Sequence, residues 1–216
     1  MTESFDPVNL ALVLALLALV PTLLVVTTSF LKIVIVLSIV RNALGVQQIP
    51  PNMALYALAL ILSAYIMAPV GNAMWLSIEA MPGDVRSVDG LVDAITLGID
   101  PMREFLMRHA WPEHRDFFLH TAHRLWGAEM VAGMGEDHML ILIPSFLLSE
   151  LTEAFRIGFL LYLPFIIIDL VVSNILLAMG MMMVSPVTIS LPLKLFLFVM
   201  VDGWSKLVRG LVLSYA

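Results

Sequence analysis

Residues 157–215 read IGFLLYLPFIIIDLVVSNILLAMGMMMVSPVTISLPLKLFLFVMVDGWSKLVRGLVLSY, and this stretch decides how the rest of the chain is understood. Two long apolar segments flank a short turn, Gly180-Met181-Met182-Met183-Val184-Ser185-Pro186. Each segment carries a mid-span charge of opposite sign, Asp169 in the first and Lys194 in the second. An apolar–turn–apolar pattern of this length predicts a membrane hairpin with a distinctive tip.

The whole chain shares that character. Of its 216 residues 61% are hydrophobic and 13% charged, and the mean hydropathy is +0.99; soluble domains run near 45–50% apolar and about 25% charged. The expected fold class is all-α: membrane-associated helical hairpins with an extramembrane helical insert. The net charge of −6 is concentrated between Glu79 and Asp137, where eleven acids face five bases. An acidic chain without a basic stripe argues against a nucleic-acid partner. With no cysteine, disulfides and thiolate metal sites are excluded.

Working outward from the hairpin, residues 138–159 read as a separate amphipathic helix rather than a span. Glu150, Glu153 and Arg156 lie three apart there, on one expected helical face, and Glu153 can pair with Arg156. Upstream, residues 79–138 form the acidic insert and hold all five histidines. Asp100-Pro101 reads as an N-cap followed by a helix-starting proline. Phe117, Phe118, Leu125 and Trp126 read as one apolar face. Residues 53–78 are an uncharged span with a weak point at Pro69 and Gly71, and Gly45, the glutamine pair and Pro50-Pro51 mark the preceding turn. The first segment runs from about Val8 to Arg41, longer than one span, with Pro21 expected to kink or split it; either the helix is strongly tilted or part of it packs against protein rather than lipid. Its uncharged run of 25 residues, 7–31, is too long for a cleaved signal and reads as retained. The division is therefore 1–78, an apolar helical hairpin; 79–138, the acidic extramembrane insert; and 139–216, an amphipathic helix plus the hairpin with the Met-rich turn. The distribution of lysine and arginine puts the N-terminus and insert outside and the two turns on the cytoplasmic side.

A charge at mid-membrane costs about 2.5–3.5 kcal/mol on insertion scales. Asp169 and Lys194 are cheaper paired in a protein interior, within one chain or between neighbouring subunits; the bland alternative is a watery setting for both. Met179, Met181, Met182 and Met183 crowd the turn. Methionine is a common core filler, but a turn must solvate its backbone, and flexible thioethers there suit a seal around varied passing chains. The histidines offer no persuasive ligand set at metal-site spacing, so no metal and no cofactor is expected, and they read as solvated surface residues. No HExxH, G-x-S-x-G or phosphate loop is present, and no enzyme is expected.

At this point the residues resemble a known family. TTSFLKIVIVLSIVRNALGVQQIPPNMALYALALILSAYIMAPVG at 27–71 and the stretch at 143–204, beginning IPSFLLSELTEAF and ending FVMVDGW, look like the SctR/FliP family, core subunits of the export apparatus of type III secretion. The resemblance implies a homo-oligomeric, pentameric ring in the bacterial inner membrane, with a substantial part on the periplasmic side. It implies SctS/FliQ-like and SctT/FliR-like partner subunits, SctV/SctU-like export proteins, membrane lipid around the assembly, and exported unfolded polypeptides passing through it. It also implies a pore gasket at Met181, Met182 and Met183, with Met179 beside them, and an assembly role for Asp169 and Lys194 through intersubunit pairing. NALGVQQIPPNM is closer to the injectisome members than to the flagellar ones, which stand as the alternative. A small-solute or ion transporter using Asp169 is a further alternative. It predicts transport loss with assembly intact on Asp169→Asn, whereas a gate subunit should fail to assemble.

Overall fold

A computed structural model of the chain describes residues 7–46, 49–80, 88–181 and 183–216, and among these it contains nine helices and no strand. The first apolar segment becomes two helices, α1 (Pro7–Thr27) and α2 (Phe30–Ala43), bent by 67° at the join. The break falls at Thr28-Ser29, not at Pro21, which lies inside α1. Thr27 and Thr28 donate to the carbonyls of Leu23 and Leu24. Ser29 and Thr28 meet Ser63 through hydroxyl contacts of 3.1 and 3.2 Å. These hydroxyls give the backbone polar alternatives to a continuing helix, so the polar triplet bends the chain where the proline does not.

α2 is buried against protein. Ile33, Val36, Leu37 and Val40 follow the i, i+3, i+4, i+7 spacing of one helical face. They form the centre of a core with Leu55 and Ala59 of α3 (Asn52–Glu79), Ala154 and Phe165 of α7 (Met139–Ala178), and Leu207 and Leu211 of α9 (Gly203–Leu213). α3 and α7 are each long and apolar enough to cross a membrane, and each bent helix pair would add one crossing, up to four in all. Pro69 and Gly71 do not interrupt α3.

The insert contributes α4 (Val88–His109), α5 (Pro112–Leu125) and the short α6 (Ala128–Val131). Asp100-Pro101 does not start a helix: α4 runs through Pro101, and Asp100 pairs with Arg103 at 2.6 Å. Packing carries the helix past the proline, for Gly98 rests on Ile78 of α3 while Phe105 and Leu106 join Leu142 and Phe146 of α7. The expected aromatic face of α5 divides. Phe118 packs in a small cluster with Ala122, Val131 and Ile141, whereas Phe117, Leu125 and Trp126 are exposed.

Residues 139–178 form one helix of 40 residues, so the amphipathic stretch and the first hairpin arm are a single element, about 60 Å long. Pro144 and Pro164 both lie inside it. The second arm divides at Val201-Asp202 into α8 (Pro186–Met200) and α9, bent by 60°. Asp202, at φ 54°, makes this corner in left-handed backbone and accepts from Ser205 at 2.9 Å.

Candidate functional site

The end of α7 is built to stop. Gly180 has φ +73°. Its N–H donates to the Leu177 carbonyl at 3.0 Å, and the Met181 N–H donates to that of Leu176 at 2.9 Å. This pair of bonds satisfies helix-end carbonyls around a left-handed residue that glycine adopts without a Cβ penalty. Ser185 and Pro186 then open α8, with proline in the first turn where its missing N–H costs nothing. Between these two ends the methionines project outward: Met179, Met181 and Met183 are 67%, 44% and 99% exposed. Met182 lies outside the described residues.

Asp169 and Lys194 meet across the hairpin. Lys194 Nζ is 2.5 Å from Asp169 Oδ2 and 3.2 Å from the carbonyl of Ala43, the last residue of α2. The ammonium thus serves a carboxylate on α7 and an orphan carbonyl at a helix C-terminus, where the helix dipole favours a cation. Ser190 donates to the other oxygen, Asp169 Oδ1, at 2.6 Å. The two ends of the bridge differ: the Lys194 side chain is 6% exposed and that of Asp169 is 40%. Glu153 and Arg156 lie 3.7 Å apart on the surface of α7.

Glu150 does not share that surface face. Three-residue steps turn by about 60° short of a full circle, so the charged stripe rotates around the helix, from buried Glu150 through half-buried Glu153 to exposed Arg156. Glu150 instead faces Lys32 of α2 at 3.2 Å, with both side chains 4% exposed or less. Tyr215 donates its hydroxyl to the other Glu150 oxygen, and Lys32 Nζ sits 3.8 Å from the centre of the Tyr215 ring. The Phe105 ring stacks with that of Tyr215, centroids 6.2 Å apart, and the His109 ring is 5.1 Å away. The sequence reading missed this cluster. Part of its signal was present: Lys32 in FLKIVIVL is a lone charge in an apolar run, subject to the same argument that linked Asp169 and Lys194, whereas Glu150 stood among Glu153 and Arg156.

His109 and His114 are half-buried rather than solvated. Nδ1 of His114 is 2.8 Å from the Ser149 hydroxyl, which also accepts from the Trp111 N–H, and these contacts seat α5 on α7. Burial lowers the His109 pKa from its ordinary 6.5. The nearby Lys32 and Arg108 charges act the same way, against a hydrogen bond to the Phe105 carbonyl. Among the described residues no group of three or more potential ligands is placed to hold a metal ion.

Comparison with known proteins gives a consistent set of relatives. The family model described as the FliP family matches residues 13–211. The Yop proteins translocation protein R of Yersinia pestis is 53% identical over 210 residues, covering 97% of each chain. The harpin secretion protein HrcR of Erwinia amylovora is 49% identical over 214 residues, covering 99% of each chain. The virulence protein YscR of Salmonella typhimurium is 45% identical over 214 residues, covering 98% of each chain.

Proposed function

The chain belongs to the FliP family, and on that premise we propose that it is a gate subunit of a protein-conducting channel. It is a component of the type III secretion export apparatus, of the injectisome branch rather than the flagellar one, and it works with the other secretion components. Helices of membrane-spanning length within such an apparatus make it an inner-membrane protein.

In the proposed arrangement several copies form a ring with SctS-like and SctT-like subunits, part of it on the periplasmic side. Unfolded polypeptide passes the Met-rich turns, and SctV-like and SctU-like proteins deliver it. The role is that of a conduit, without a catalytic step. One observation carries this reading: an exposed apolar turn, closed at the α7 end by the Gly180 and Met181 hydrogen bonds, at the tip of a hairpin whose flanks are also exposed and apolar. Water is a poor neighbour for such a tip, and thioethers conform to chains of varied shape. The exposed part of Asp169 leaves room for a second cation from a neighbouring copy, which supports an assembly role for the bridge.

The test is a photoreactive residue at Met183, in cells with an export substrate stalled in transit. Crosslinks to the stalled chain are expected. Crosslinks only to neighbouring copies, with stalling verified, would overturn the conduit reading of the turn.

A further inference from the structure

The last turn of α4 meets the residues after α9 beside a cavity of about 450 Å³. Lys32 of α2, Arg108 and His109 of α4, and Glu150, Glu153 and Arg156 of α7 are the titratable and charged groups lining it, and α5 brings none. All but one of these are paired. Glu150 gives one oxygen to Lys32 and accepts from the Tyr215 hydroxyl at the other. Glu153 faces Arg156, and Arg108 faces Glu104 on its own helix. His109 is the exception. Its Nδ1 is 2.8 Å from the Phe105 carbonyl, which can only accept. Nδ1 therefore carries the proton of the neutral ring, and a second proton must go to Nε2. Nε2 has no hydrogen-bond partner among the described residues.

The half-buried imidazole lies 5.1 Å from the Tyr215 ring, centre to centre, and Lys32 Nζ is 3.8 Å from the same ring centre. A proton on Nε2 thus adds a cation near Lys32 and Arg108, where the carboxylates are already engaged. Burial and those two cations hold the His109 pKa below its ordinary 6.5. Parting α4 from the residues after α9 relieves this by returning the imidazolium to water. The packing that must open is local: Phe105, Leu106 and Ala110 against Leu142, Phe146 and Tyr215. The core around α2 is a separate cluster. We propose that the His109–Tyr215 contact is a proton-operated latch, closed while His109 is neutral and released when it is protonated. Acidity around the insert then sets how firmly α4 is held to α7 and to Tyr215. Histidine changes charge within the ordinary biological pH range, and a packed contact that its charge strains is the element such a switch biases. The latch does not depend on what the apparatus exports.

The chain has no cysteine, so one introduced thiol can report the opening. Ala110→Cys puts it beneath the latch, at a position 4% exposed. Maleimide labelling of the assembled complex is read at pH 7.5 and 5.5, with His109 present and in a His109→Gln background. Comparing the two backgrounds at one pH cancels the thiol's own titration. An opened His109 takes its proton near 6.5, so the open state gains up to about tenfold at pH 5.5 and almost nothing at pH 7.5. Labelling at position 110 should therefore match in the two backgrounds at pH 7.5 and run up to about tenfold faster with His109 at pH 5.5. Ala59→Cys, in the separate core, should show no such difference. Equal rates at position 110 at pH 5.5 would overturn the latch. So would the same acceleration at position 59, because acid would then be loosening the whole fold. If His109→Gln does not assemble, the ratio of labelling at 110 to that at 59 with His109 present decides: it should rise between pH 7.5 and 5.5, and a constant ratio overturns the proposal.

Discussion

Lys32 and Glu150 lie 118 residues apart in sequence and meet with almost no solvent between them. Desolvating two such ions costs several kcal/mol each, offset here by their contact, the Tyr215 hydroxyl and the Tyr215 ring. Lys32→Met leaves an uncompensated carboxylate and should cost about 3–5 kcal/mol, whereas Lys32→Met with Glu150→Leu should recover most of that loss. Thermal melting of the purified assembly checks both, and a double variant no more stable than the single one would count against a mutually dependent pair. His109, beside this cluster, gives a pH dependence. Its folded pKa is below 6.5, so as pH falls through that value the unfolded chain takes up the proton first. Stability is therefore full above about 6.5 and declines below it. Melting at pH 7.5 and 5.5 should show a smaller acid-induced drop for His109→Gln than for the unaltered chain. Sequence alone marked Asp169 and Lys194 because they interrupt one hairpin symmetrically. Lys32 and Glu150 sit in segments read as unrelated, and only the packing of α2 on α7 joins them.

At the scale of elements, the longest misreading concerned α7. The change from an amphipathic, charged stretch to an uncharged apolar one suggests a boundary near residue 157, where the structure continues without a break. An interior proline costs about 3 kcal/mol in an isolated helix. Along α7 both flanks of that disturbance are held by packing, with Leu142 and Phe146 against α4 and Ala154 and Phe165 against α2 and its neighbours. Propensity is local and packing is not, so the turns before Asn52 and after Ala178 were legible, whereas helix continuity through Pro101, Pro144 and Pro164 was not. α7 approaches α2 closely at Gly158, where an added Cβ would come within 2.4 Å of the Ile39 Cδ1 and 3.2 Å of its Cβ. The side-chain tip can move, but the stem cannot move freely. Gly158→Leu should therefore cost about 1–3 kcal/mol or more through overpacking, read as reduced melting temperature and less assembled complex. Gly158→Leu with Ile39→Ala should regain part of it; an unchanged single variant would show that the two helices are less tightly held than the structure indicates.

At the scale of the molecule, α2 is tied near both ends: Lys32 in its first turn to Glu150 of α7, and the Ala43 carbonyl at its last residue to Lys194 of α8. The ties engage α7 at residues 19 apart, about 28 Å of helix. Swinging the α7–α8 hairpin away from α2 would expose one or both charge clusters. The turn at its tip is thus presented on a braced lever, while Met179, Met181 and Met183 make no contribution to the buried core. Separating support from sealing follows directly. Replacing Met179, Met181 and Met183 with alanine removes apolar bulk from an exposed surface, so complex formation should match that of the unaltered chain. Flexible thioethers that close a passage would be missing, and membranes bearing the assembled variant should become permeable to small solutes, measured by dye or ion leakage. Asp169→Asn should do the reverse, lowering the yield of complex because the cross-hairpin bridge loses its charge, with no excess leak per assembled ring. If the alanine variant assembles and stays tight, the turn does not seal the passage, and the exposed methionines need another explanation.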